Sequence, residues 1–184
     1  MDNFDLNELA NMVLAPYILK ATALRGKARK VGGNQFRHVM ATFTILLDYH
    51  YTDCVMLKAA FIHDLFEDCR DTNREEIAAL DDDGPAVVKL VEEVTRPPGE
   101  KKEVYLARIR DHGSMQAKTL KVADRISNLT DLNTSVFPGD YIDYYIEQSR
   151  EYILPIAQEV NADMAIEITD LIKRRLEFLQ ASRP

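Results

Sequence analysis

The segment that most constrains this chain is residues 59–70, an apolar stretch interrupted by one histidine and three acidic side chains before it ends at Arg70. If the segment is helical, His63 and Glu67 stand four residues apart and so do Asp64 and Asp68, and each pair lies on one strip of the helix. An imidazole and three carboxylates that converge in apolar surroundings repel one another and lose hydration unless a cation compensates them. A bound divalent metal ion is the simplest such cation.

The same segment has a simpler interpretation, in which a core helix carries a rim of solvated charges. Apolar side chains flank the ionisable ones on both sides, which favours the metal interpretation; they are Phe61, Ile62, Leu65 and Phe66. The rest of the chain has to discriminate between the two.

Composition limits the class of protein. The chain has 184 residues, of which 46% are hydrophobic and 29% charged, so we expect a single globular domain over residues 1–184. A net charge of −7 argues against a general nucleic-acid or membrane surface, and no long apolar run is present. The N-terminus lacks a basic-then-apolar leader. With two unpatterned cysteines, Cys54 and Cys69, these features predict a reduced, cytoplasmic protein.

Apolar residues recur at helical spacing along the chain, and no convincing strand pattern interrupts them. An all-α bundle is therefore predicted. The expected landmarks are a helix break at Pro16, an N-cap at Asp53, a capping box from Thr72 to Glu75, a helix start at Pro85, a helix over residues 114–132, a tyrosine-rich helix opened by Pro138 and bent near Pro155, and a last helix over residues 162–180. The acidic turn at residues 81–83 is expected to be solvated, with a weak cation site as the alternative.

Two groups of basic residues stand out in this acidic chain. The first, residues 25–30, places four cations before Gly32 and Gly33; it is either a solvated loop or an edge that binds an anion. The second contains Lys101, Lys102, Arg108 and Arg110. Such cations can face a phosphate group, and the candidates for that role are Lys121, Arg125 and either Lys101 or Lys102.

His38, then His63-Asp64, then Asp124 stand on separate predicted helices, and this order resembles the metal site of the HD phosphohydrolase superfamily. Four blocks in register narrow the resemblance to the alarmone hydrolase domain of RelA/SpoT proteins; they are residues 26–38, 59–68, 91–95 and 119–129. The chain is most similar to the small stand-alone hydrolases, the branch that includes the metazoan SpoT homologue.

The resemblance implies an HD-domain helical bundle and a metal-dependent pyrophosphohydrolase. The expected reaction removes the 3′-diphosphate of guanosine tetra- or pentaphosphate (ppGpp or pppGpp), giving GDP or GTP and pyrophosphate. Two imidazoles and two carboxylates suit Mn²⁺, with iron or zinc as alternatives, better than a thiolate-seeking metal. The expected roles are metal binding by His38, His63, Asp64 and Asp124; water positioning and deprotonation by Glu67 and Asp68; and substrate binding by Arg29, Lys30, Lys121 and Asn128.

The chain departs from the family pattern in two places. Asn34 and Gln35 stand where the family usually has Pro-Tyr. Asp131 stands where the long enzymes favour Thr, although the small hydrolases resemble this chain at that position. Two alternatives remain open: an HD phosphohydrolase for another nucleotide, such as an adenine alarmone or a phosphorylated dinucleotide, and a module that binds an alarmone without cleaving it. The preference between guanine and adenine and the oligomeric state also remain open. No synthetase segment follows the hydrolase blocks, so alarmone synthesis is not expected.

Overall fold

The central element is a helix over Met115–Asp131, which contacts helices on several sides in the computed structural model. The model describes residues 3–181, with side chains from residue 7 onward. The helices of this range are α1 Asn3–Asn11, α2 Ala15–Ala21, α3 Gln35–Asp48, α4 Cys54–Ile62, α5 Leu65–Asp68, α6 Arg74–Ala78, α7 Gly84–Val94, α8 Lys102–His112, α9 Met115–Asp131, α10 Gly139–Gln148, α11 Leu154–Val160 and α12 Ala162–Ala181. A 3₁₀ turn at Thr22–Gly26 and a π-helical segment at Ser149–Ile153 complete the list.

Helix α9 is enclosed by its neighbours. It packs against α3, α4, α7, α8, α11 and α12, and twelve of its 17 residues are buried. A helix enclosed in this way buries polar side chains as well as apolar ones, and those polar groups need partners inside the protein. Asp124, near the middle of α9, is one of them. Because no strand occurs in the described range beyond one isolated bridge, the all-α prediction is confirmed.

Helix α4 leads into the segment on which the sequence interpretation was built. The predicted N-cap is confirmed, because the side chain of Asp53 accepts a hydrogen bond from the Met56 amide at 2.7 Å. The continuous helix through residues 59–70 is wrong. Helix α4 ends at Ile62, Asp64 adopts φ −93° and ψ −4°, and the chain resumes as the short helix α5.

The break has a geometric consequence for the two residues at its centre. Neighbouring side chains on a regular α-helix point about 100° apart, so one point is hard for both to reach. His63 keeps helical backbone angles, and with the departure at Asp64 the Oδ2 atom of Asp64 lies 3.5 Å from Nε2 of His63.

Several predicted helix boundaries are confirmed, and one is wrong. The breaks at Pro16 and Pro85 match the starts of α2 and α7. The capping box was placed one residue early, since Asn73 rather than Thr72 caps α6 and accepts from the amides of residues 75 and 76. The Thr72 hydroxyl donates instead to the Cys69 carbonyl at 2.6 Å. The interruption expected near Pro155 is the π-helical segment that precedes α11.

Two features bear on the environment of the protein. Cys54 and Cys69 form no disulfide, as their spacing predicts. Among the helices that the structure describes, none combines the length and the apolar composition that a membrane span requires.

A buried lysine joins α2, α4 and the turn before α7. Lys58 is 4% exposed, and its ammonium donates to Asp81 at 2.7 Å and to Asp83 at 2.6 Å. The Tyr17 hydroxyl donates to the other oxygen of Asp81 at 2.7 Å. The acidic turn is therefore paired with a buried cation, and the solvated turn expected from sequence is wrong.

We expect Lys58→Ala to lower the free energy of unfolding by about 3 kcal/mol, because both carboxylates then lose their buried partner. Urea denaturation measures the change. Lys89→Ala, an exposed lysine on α7, is the matched control and should stay within about 0.5 kcal/mol of the wild type. Equal stability of the two variants would contradict the structural role of Lys58.

Candidate metal and nucleotide site

Three helical regions bring together buried side chains of the kinds that bind metal ions. His38 of α3, His63 after α4 and Asp124 of α9 each offer one ligand atom, and these atoms lie within 4.8 Å of one another. The His38 Nε2 atom is 3.0 Å from Asp124 Oδ1, and the His63 Nε2 atom is 3.9 Å from the same oxygen. Because α3, α4 and α9 pack directly against one another, the cluster is part of the core.

The fourth predicted ligand lies beside this group. Asp64 Oδ2 is 3.6 Å from His38 Nε2 and 3.5 Å from His63 Nε2, and the Asp64 side chain is 20% exposed. The four residues selected from sequence therefore converge, with Asp64 on the side that solvent reaches.

The hydrogen bonds of His63 fit a cation at the centre of the cluster. Its Nδ1–H donates to the Ala60 carbonyl at 2.8 Å, which leaves the lone pair on Nε2. That Nε2 atom is buried and has no hydrogen-bond partner among the described residues. Buried polar atoms are normally paired, and a histidine held through its other nitrogen is the usual arrangement of a metal ligand. Together with the mixed N,O donor set, this orphaned atom fits a divalent ion.

Asp124 is held from both sides by side chains of its own helix. Lys121 donates to its Oδ2 at 2.6 Å, and Asn128 donates to its Oδ1. Burial opposes the charged form, but Lys121 and His38 hold the pKa of Asp124 well below its usual range. Ser127 lies 2.9 Å from His38 Nδ1 and supports that ring in turn.

Asp64, which is partly buried, is also ionised. Burial raises its pKa, but His63 and His38 outweigh this and lower the pKa of the Asp64 carboxyl below its ordinary value. At neutral pH the cluster therefore presents two carboxylates, which are the form that binds a cation.

Sequence reasoning gave no role to Gln35, although it noted this position as a departure from the family. The Gln35 amide donates to Asp64 Oδ2 and accepts from Arg29 at 3.4 Å. Arg29 also donates to Asn128 at 2.9 Å. Gln35 thus connects a metal-ligand candidate to the basic loop.

The two predicted catalytic carboxylates lie on α5 in different surroundings. Glu67 Oε1 accepts a hydrogen bond from the Arg96 amide at 2.8 Å, so the loop after α7 fixes its orientation. Asp68 lines the adjoining cavity. Burial, then the neighbouring Asp64, raises the pKa of Asp68. The pair therefore combines one positioned carboxylate with one that takes up a proton more readily.

A cavity of about 460 Å³ opens beside the cluster. Its basic wall contains Arg29 and Lys30 of the loop before α3, and its floor includes Asn128 of α9. This volume falls in the range of small-molecule sites. The remaining side chains that line it are Lys27, Ala28, Val31, Gln35, Asp68, Asp131, Leu132, Phe137, Tyr141 and Tyr145.

The candidate phosphate cations differ in their surroundings. Burial, then the charges of Lys121 and Arg125, lowers the pKa of Lys102 to about 8. Arg125 is 1% exposed and donates to the Ser149 hydroxyl at 3.1 Å, so it supports the π-helical segment. Lys101 is exposed. Of the candidate phosphate cations, Lys102 and Lys121 therefore remain beside the cluster.

Comparisons with known proteins give several relatives, although no family model matches the chain. The human guanosine-3′,5′-bis(diphosphate) 3′-pyrophosphohydrolase MESH1 is 33% identical over 131 residues, which cover 67% of this chain and 70% of that protein. The Drosophila melanogaster enzyme of the same name is 31% identical over 149 residues, which cover 75% and 79%.

A solved structure matches the fold with a TM-score of 0.76 and 25% identity over 88% of this chain and 94% of the other. It is described as a metazoan ortholog of SpoT that hydrolyzes ppGpp and plays a role in starvation responses. The predicted HD-domain bundle is therefore confirmed.

We expect Mn²⁺ to raise the melting temperature of chelator-treated protein, because an ion that binds only the folded state stabilises it. Gln35→Ala should weaken Mn²⁺ binding about tenfold, since Asp64 loses the amide that orients it. Isothermal titration calorimetry measures both affinities.

His63→Ala should abolish the Mn²⁺-dependent rise, whereas His112→Ala, which removes an exposed imidazole from α8, should leave it unchanged. Loss of the rise in both variants would point to non-specific binding by surface histidines.

Proposed function

The chain belongs to the family of MESH1-type guanosine-3′,5′-bis(diphosphate) 3′-pyrophosphohydrolases, and we propose that it removes the 3′-diphosphate of ppGpp or pppGpp. The products are GDP or GTP and pyrophosphate. The observation that carries the proposal is the buried His-His-Asp cluster at the edge of a cavity with a basic wall. The names of the relatives support the choice of substrate.

His38, His63, Asp64 and Asp124 would hold the metal ion, for which we propose Mn²⁺. A bound divalent ion lowers the pKa of coordinated water and offsets phosphate charge. The imidazole nitrogens and carboxylate oxygens support a borderline-to-hard ion. The orphaned Nε2 of His63 supports the position of the site.

Glu67 and Asp68 would orient the attacking water and accept its proton. The Arg96 amide restrains Glu67, which suits it to orientation, and the raised pKa of Asp68 suits that carboxylate to proton uptake. The water oxygen forms a bond to the phosphorus attached to the ribose O3′, and the bond between that phosphorus and O3′ breaks. Pyrophosphate leaves, and O3′ receives a proton.

The substrate would lie along the basic wall of the cavity. Arg29 and Lys30 would contact the base and ribose, and Asn128 would hydrogen-bond the nucleoside. Lys121 already forms an ion pair with Asp124. In the part of the chain that the structure describes, no carboxylate pairs with Lys102. Lys102 is therefore the cation that we assign to the diphosphate, with Lys121 beside it.

A non-catalytic alarmone-binding module is the second candidate, and it has no need of the carboxylate pair on α5. A different nucleotide substrate is the third. A cytoplasmic location, a single domain over residues 1–184 and any self-association stay predictions from the sequence.

We expect chelator-treated protein to release pyrophosphate from ppGpp only after Mn²⁺ is restored, and Asp64→Ala to abolish the release. Asp68→Asn should lower kcat about 100-fold with little change in KM, because it removes a proton acceptor rather than a binding group. Asp48→Ala, an exposed acid on α3, is the control.

Saturable ppGpp binding without pyrophosphate would favour the binding module. Metal binding with neither ppGpp binding nor turnover would favour another nucleotide, which a substrate panel would identify.

The pH dependence tests Lys102 separately. A lysine binds phosphate as the ammonium ion, which is lost as the pH rises through its pKa, so kcat/KM should fall above pH of about 8. Lys102→Arg keeps its charge and should retain kcat/KM at higher pH, whereas Lys102→Met should lower it at every pH. If kcat/KM falls identically above pH of about 8 in the wild type and in Lys102→Arg, the fall is caused by another ionisable group.

A further inference from the structure

The two adjacent carboxylates of α5 face different cavities. Asp68 lines the cavity beside the metal cluster, whereas Glu67 lines a second cavity of about 520 Å³ between α5, α6, α7 and the loop that follows α7. We call this second cavity the arginine pocket, because Arg70, Arg74 and Arg96 line it. Its lining includes none of the metal-ligand candidates and none of the groups assigned above to the substrate.

The acidic side chains around the arginine pocket are paired in a way that leaves positive charge uncompensated. Glu92 forms an ion pair with Arg74 at 2.9 Å, and Glu100 of the loop forms one with Arg108 at 3.3 Å. Neither carboxylate is therefore available to the other two arginines of the pocket. In the part of the chain that the structure describes, no carboxylate pairs with the side chain of Arg70 or Arg96.

Arg96 is held in place with part of its guanidinium group unused. Its Nη1 donates to the Glu100 carbonyl at 3.1 Å, which fixes the group against the turn at residues 97–100. Its Nε is buried and has no hydrogen-bond partner among the described residues. A buried donor without a partner is costly, and a guanidinium group binds phosphate oxygens through two parallel N–H groups. The unused Nε–H of Arg96 therefore fits an anion that supplies the missing acceptor.

The walls of the arginine pocket favour a compact anion over a nucleotide. Phe66 is the one aromatic residue that lines it in the described range, and Arg74 covers its ring at 4.4 Å. Because Phe66 is only 4% exposed, the pocket offers no free ring face on which a base could stack. We propose that the arginine pocket binds pyrophosphate through Arg70 and Arg96 as a site separate from the substrate cavity. The inference rests on the proposed function for the choice of pyrophosphate, the expected product, among compact phosphate anions.

Glu67 connects the arginine pocket to the reaction. Its carboxylate lines the pocket and accepts the backbone N–H of Arg96 at 2.8 Å. Pyrophosphate bound in the pocket repels this carboxylate and so displaces it from the orientation in which it would hold the attacking water. Bound product would therefore slow turnover without entering the substrate cavity.

The first test measures pyrophosphate binding by calorimetry in metal-free protein, where the metal cannot hold the anion. Arg70→Ala, which removes an exposed side chain, should weaken binding about tenfold, the effect of one charge-assisted hydrogen bond. Arg96→Lys keeps the charge but loses the paired N–H groups, and should weaken binding by a similar factor. Lys102→Met should leave the affinity unchanged, and so should Lys89→Ala, the control for net charge.

The second test measures ppGpp hydrolysis with added pyrophosphate at constant free Mn²⁺. In the wild type, saturating pyrophosphate should lower kcat about tenfold, in addition to any rise in KM from competition at the metal cluster. In Arg70→Ala, kcat without pyrophosphate should stay within about twofold of the wild type, and added pyrophosphate should change only KM. An equal fall of kcat in both proteins overturns the inference.

Binding to metal-free protein requires no turnover, so it separates this inference from the proposed function. If ppGpp is not cleaved but pyrophosphate binds in an Arg70-dependent manner, the proposed function fails and the anion site stands. If Arg70→Ala and Arg96→Lys bind pyrophosphate as tightly as the wild type, the inference is overturned even though ppGpp is cleaved. Loss of binding in Lys102→Met alone overturns it too, because the anion then lies in the substrate site.

Discussion

The structure depends on an ionised carboxylate in the middle of its central helix, α9. Asp124 is 5% exposed, and a charge at that depth is tolerated only with compensating partners. Lys121 supplies a full positive charge to one oxygen, while His38 and Asn128 approach the other. The packing of α3 on α9 is therefore tied to the site, because α3 delivers the His38 ring to Asp124.

Four carboxylates close to this centre have different properties because their neighbours differ. Asp124 has a lowered pKa because it faces Lys121 and then His38, and Asp64 has a lowered pKa because it faces His63 and His38. Asp68 has a raised pKa because of its burial and then because of the Asp64 carboxylate. Glu67 is turned towards a backbone amide. One short segment thus supplies both ligand-type and proton-accepting groups, and the separation follows from which charges each side chain meets.

The sequence was most informative where chemistry limits the choice of residues. Histidines and aspartates in a fixed order can be recognised from the sequence alone, and so can N-caps such as Asp53. The break between α4 and α5 carries none, because apolar periodicity continues through His63 and Asp64 and only tertiary packing stops the helix. The contacts of Gln35 and of the Arg96 amide join segments distant in sequence, so no spacing rule could find them. The acidic turn at residues 81–83 was misjudged for the same reason, since its partner Lys58 lies on another helix.

The unpartnered Nε2 of His63 has a consequence for the life of the protein in a cell. A folded core that contains an unsatisfied ring nitrogen is less stable than one in which an ion satisfies it, so folding and metal loading are linked. If the cluster binds its ion, newly made chains that have not acquired one would spend more time partly unfolded, where chaperones and proteases act on them. The supply of divalent metal would then set how many copies persist, in addition to how many are active.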